Sequence, residues 1–128
     1  MTDTRAEGIR VLRDILPEMV PADDTAELKE QGFGGELGEL SVENVFGRLW
    51  ARPGLDRRSR SLVTLGILIA LHAGEELKFH FPIALRNGLS REELEEVVYH
   101  AAGYAGFPAA ATARLIARQT LDAEPSGE

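Results

Sequence analysis

Apolar residues recur at helical spacing along most of the chain and nowhere alternate over a run long enough for a strand. Ile9, Leu12, Ile15 and Leu16 predict a helix over 6–16, closed by Pro17. Segment 21–35 is polar, ends in "GFGG" and reads as a loop with at most one helical turn. Leu37, Leu40, Val45, Phe46 and Leu49 mark a helix over 36–50, which "RPG" (52–54) breaks. Asp56 is placed to cap a helix over 57–72. Its run "LVTLGILIAL" (62–71) is apolar nearly all round, the pattern of a central buried helix. Gly74 interrupts, and the next helix covers 75–87 with Asn87–Gly88 as its C-cap. Pro82 inside it removes one backbone hydrogen bond and predicts a kink. Ser90 with Glu93 forms a capping box for a helix over 91–104, and Pro108 opens the last helix, 108–122. The tail "DAEPSGE" reads as disordered. The expectation is an all-α chain: one domain over 1–128, a compact bundle of about six helices.

Composition narrows the function. A net charge of -7 argues against non-specific nucleic-acid binding. The absence of cysteine removes disulfides, thiolate metal sites and thiol redox chemistry. The charged start "MTDTRAEGIR" has no signal-peptide core, and the longest apolar run is about half a membrane span. A cytoplasmic protein with no membrane partner is expected. The last two helices are rich in alanine, which buries little area per residue. Self-association would supply more, so a homo-oligomer is expected.

Three places could carry chemistry. Glu76 and His80 lie four residues apart, hence on one helical face. They read equally as an acid–base pair or as a surface pair. Adding His72 would give a metal-binding face, but Gly74 breaks the helix between them, so no metal is expected. His100 shares a face with Glu96 and Tyr104 among small residues; it is either packed in an interface or lines a small cavity. The stretch "RPGLDRRSRS" carries Arg52, Arg57, Arg58 and Arg60. Arg60 begins the apolar helix, and its planar fork of donors suits a carboxylate.

Taken together, "LWARPGLDRRSRSLVTLGILIAL" and "EELKFHFPIALRNGLSREELEEVVYHAAGYAGFPAA" closely resemble the carboxymuconolactone decarboxylase family, within the alkylhydroperoxidase D-like superfamily. The resemblance runs from about Glu43 to Ala117. It implies an all-α, alkylhydroperoxidase D-like bundle that forms trimers or hexamers and uses neither metal nor organic cofactor. Redox members carry Cys-x-x-Cys-x-x-x-His ahead of the same glycine; counted back from His80, their cysteines fall on Ala73 and Glu76. The chain therefore resembles the decarboxylase branch and not the peroxidases. The family's named reaction belongs to aromatic-compound catabolism and turns carboxymuconolactone into an enol-lactone and carbon dioxide. By that resemblance His80 serves as acid or oxyanion donor, held by Glu76. Arg60 or Arg52 holds a substrate carboxylate, with Tyr104 and His100 as further pocket donors. The competing expectation is a module of the same fold that binds a small acid without turning it over. A metal-dependent hydrolase is a distant third.

Overall fold

The computed structural model describes residues 3–20 and 30–122. Every regular element among them is helical. Backbone contacts divide the chain into two units, Met1–Leu55 and Asp56–Glu128. Most of the 21–35 loop and all but Asp122 of the 122–128 tail lie outside the described residues.

In the first unit, α1 (Thr4–Ile15) starts at Asp3, whose carboxylate accepts a hydrogen bond from the Ala6 amide at 3.1 Å. It ends at a 3-10 turn over Pro17–Met19. Helix α2 begins at Leu37–Ser41 and widens into a π-helical stretch, Val42–Trp50. The wider turn is carried by i to i+5 bonds such as Ala51 N–H to the Phe46 carbonyl, 3.1 Å. Two glycines set how closely α1 and α2 pack. A Cβ on Gly8 would collide with the Val42 carbonyl, and one on Gly47 with the Thr4 carbonyl. Ile9, Leu12, Ile15 and Val42 are buried. Arg5 on α1 grips Glu39 on α2 with two hydrogen bonds, 2.8 and 3.1 Å.

The second unit holds α3 (Arg57–Ala70), α4 (Gly74–Arg86), α5 (Arg91–Ala105) and α6 (Phe107–Leu121). The caps read from the sequence are present. Asp56 accepts from the Ser59 amide at 2.7 Å. Ser90 and Glu93 form a complete capping box, with bonds of 3.0 and 2.9 Å. Gly88 (φ 102°) ends α4 with Leu89 N–H bonded to the Ala84 carbonyl and Gly88 N–H to that of Leu85, a Schellman motif. Leu65, Ile69, Leu77, Phe81, Ala84, Leu94, Ala109 and Ala113 form the core of this unit. Of the α6 alanines, Ala109, Ala110 and Ala113 are buried in this core. Helix α4 continues through Pro82 as far as Arg86.

One expectation is corrected. Helix α3 buries only the stripe Ser61, Leu65 and Ile69. Val63, Ile67 and Leu71 are more than half exposed, at 55, 53 and 68%. Helix α3 does pack against α4, α5 and α6, with Leu62 and Leu68 against the core, but apolar composition all round did not bury its remaining face. No described helix is long and apolar enough to cross a membrane.

Candidate functional site

Helix α4 presents His80 from between the buried Leu77 and Phe81 and the exposed Phe79. The ring is half-buried, with Nδ1 inside the protein. Burial pushes its pKa below the ordinary histidine value, since a desolvated imidazolium is disfavoured. Glu76 sits one turn earlier, exposed, and no hydrogen bond joins it to His80. The shared helical face is thus real, but the direct hold of one group on the other is not seen within the chain. His72 lies outside both helices with φ 56°, in the left-handed region. The continuous helix that a His72–Glu76–His80 face would need is therefore missing.

The structure brings His100 and Tyr104 together: their rings lie 5.2 Å apart on α5, tilted by 34°. Both line an open groove of about 770 Å³ between α3 and α5. Two of its other lining residues, Arg58 and Glu93, form an ion pair with each other. The Glu93 carboxyl is held below the usual carboxylate range by the Ser90 amide first and by Arg58 second. Glu96, on the His100 face, lines the same groove. His80 does not. Arg60 is half-buried near the start of α3, and Arg52 is exposed in the first unit. Within the second unit, His100 and Tyr104 meet on α5, whereas His80 and Glu76 stand on α4.

Arg58 was overlooked among the four arginines. The signal existed, because Arg58, Leu62, Gly66 and Ala70 make an unbroken i, i+4 row facing α5. Ser61 and Asn87 were also missed as a pair. Ser61 is buried and accepts a hydrogen bond from the Asn87 side chain at 2.9 Å, tying the start of α3 to the end of α4. Nothing local in the sequence announces a contact between residues so far apart.

Comparison with known proteins supplies the class. The model of the carboxymuconolactone decarboxylase family matches residues 35–119. The chain belongs to the carboxymuconolactone decarboxylase family. It is 39% identical to the nitrosuccinic acid decarboxylase of Metarhizium robertsii, over 91% of this chain and 80% of that one. It is 33% identical to the 4-carboxymuconolactone decarboxylase of Acinetobacter baylyi, over 90% of this chain and 84% of that one. With such relatives along most of its length, this member of the family is placed among the decarboxylases. It contains no cysteine, so the thiol chemistry of the redox relatives is closed to it.

Proposed function

We propose that the protein is a cofactor-free carboxy-lyase that releases carbon dioxide from a small carboxylic acid activated by an electron-withdrawing group. The relatives' named substrates support this class. Carboxymuconolactone pairs a carboxylate with a conjugated lactone carbonyl, and nitrosuccinic acid pairs carboxylates with a nitro group. In either compound the carbon–carboxylate bond breaks, carbon dioxide leaves, and the bonding pair moves onto a carbonyl or nitro oxygen. The resulting enolate or nitronate then takes up one proton at carbon. A related small carboxylated lactone is the substrate class we favour.

The observation that carries the reading is the half-buried His80, whose burial favours the neutral ring. A neutral imidazole N–H can donate to an oxyanion as charge builds there, at little reorganisation cost. That part suits His80 better than that of a standing cationic acid. Arg60 would hold a second carboxylate of the substrate. The leaving carboxylate is best left without a cation, because a salt bridge would stabilise the ground state. Glu76 has the supporting part, one turn from His80. The test is carbon dioxide release from carboxymuconolactone and from nitrosuccinate by the purified protein. Turnover of neither acid would overturn the proposal; turnover of one would select the substrate.

A second reading has its own observation, the contact of His100 with Tyr104 in the α3–α5 groove. It puts the small acid in that groove, either for catalysis or for binding without turnover. Gly66→Leu would fill the groove, since a Cβ at Gly66 meets open space. Undiminished turnover by that variant would exclude the groove as the reacting site.

We also propose that the chain acts as one domain and as a homo-oligomer, a trimer or hexamer. The family match across the boundary between the two units supports the first. The exposed Val63 and Ile67 on α3 and Leu71 at its C-cap support the second. Light scattering on the wild type and on Ile67→Glu checks it: a wild-type monomer would refute self-association.

A further inference from the structure

A second cleft, of about 360 Å³, lies between α5 and α6. Neither His80, His100 nor Tyr104 lines it. Its volume is at the small end of the range for ligand pockets. Two antiparallel rows face each other across it. Arg91, Glu95 and Tyr99 come from α5, and Arg114 and Arg118 from α6, with Asp122 just beyond. Among the lining residues, Arg91 pairs with Asp122. Arg114 and Arg118, one helical turn apart, have no ion pair or hydrogen bond from their side chains among the described residues. Leu94, Val98 and Leu121 supply an apolar wall, and Tyr99 stands at its edge.

We propose that this cleft binds a small monocarboxylic acid with a flat apolar body. Two guanidiniums one turn apart offer a carboxylate paired, charge-assisted donors, a match that a planar fork makes well. The leucine and valine wall gives the body of the ligand somewhere to exclude water, and Tyr99 gives it an aromatic face. Glu95 sets the charge. With Asp122 it leaves the cleft one cation in excess, within a chain of net charge -7. A single carboxylate balances that excess, whereas a dianion such as phosphate meets Glu95 and gains nothing from the apolar wall. The site is therefore selective for one negative charge joined to an apolar ring.

The probe is benzoate, titrated into the full-length protein and followed by amide NMR shifts. Saturable shifts centred on Leu94–Tyr99 and Arg114–Leu121 are expected, with weaker binding of inorganic phosphate and no binding of benzamide. The double variant R114Q/R118Q should weaken benzoate binding about tenfold or more, as expected for loss of charge-assisted donors. Both positions are exposed, so the variant should keep its fold, which circular dichroism checks. Tyr99→Leu, a second variant, should also weaken binding. The proposal is overturned if benzoate fails to saturate, or if its shifts centre on α4 or on the α3–α5 groove. Unchanged affinity in R114Q/R118Q overturns it, as does equal binding of benzamide or phosphate. A change of oligomeric mass in R114Q/R118Q would also overturn it, by assigning the arginines to contact between copies. Because the cleft shares no residue with His80, decarboxylation by the double variant should be unchanged whichever way binding falls.

Discussion

The two units hold their helices together by different means. In Met1–Leu55, α1 and α2 meet where side chains are missing, at Gly8 and Gly47, and α2 widens into a π-helix at that crossing. In Asp56–Glu128, the helices are regular, capped by Asp56 and Ser90, and packed through Leu65, Phe81 and Leu94. Both units have a capped helix and buried side chains, but only in the first do two glycines let helix backbones touch. The difference teaches that a stretch rich in apolar residues can be positioned by what it lacks.

Substitutions can break that comparison. The largest loss should come from Phe81→Ala in the second unit, whose ring is fully buried: about 3–5 kcal/mol, read from urea denaturation. Next is Gly47→Ala. Helix propensity alone would have alanine stabilise that position by about 1 kcal/mol. The collision with the Thr4 carbonyl should reverse the sign and cost about 2 kcal/mol net. A stabilised Gly47→Ala would refute the claim that backbone approach positions α1. Ser90→Ala removes one half of the capping box and should cost about 1 kcal/mol, again by urea denaturation.

The smallest effect concerns acid. Burial lowers the pKa of His80 in the folded state, so between that value and the unfolded value the unfolded chain binds more protons. His80 therefore costs no stability above its unfolded pKa of about 6.5, and stability is lost as pH falls towards the lowered folded value. His80→Gln should flatten this acid-side decline in the pH dependence of the denaturation midpoint. An unchanged slope would mean that the ring is not desolvated.

How much was legible follows the same division. Caps and breaks are local, so Asp56, Gly88, Ser90 and Pro108 located the helices of the second unit within about a residue or two. The π-helical stretch was not legible, because its apolar spacing from Val42 to Trp50 reads as an ordinary helix. Gly8 carried no turn signal; its meaning lies in a contact with Val42, far along the chain. For the site, spacing alone put His100 beside Tyr104 correctly, since both lie on one helix. It could not show that Glu76 faces outward without a hydrogen bond to His80, because shared helical face does not fix side-chain direction. Nor could it show that α3 leaves Ile67 exposed, which depends on where the neighbouring helices lie.

The central claim is that His80 serves the decarboxylation. Its most direct measurement is kcat/KM for carbon dioxide release by the wild type, His80→Ala, His80→Gln and His100→Ala, on whichever of the two acids is turned over. Loss of an oxyanion donor predicts a drop of about 10²–10³-fold for His80→Ala, with part recovered in His80→Gln through its amide N–H. His100→Ala should stay within a few-fold of the wild type. Full activity in a folded His80→Ala, with loss in His100→Ala, would contradict the account and move the reaction to the α3–α5 groove.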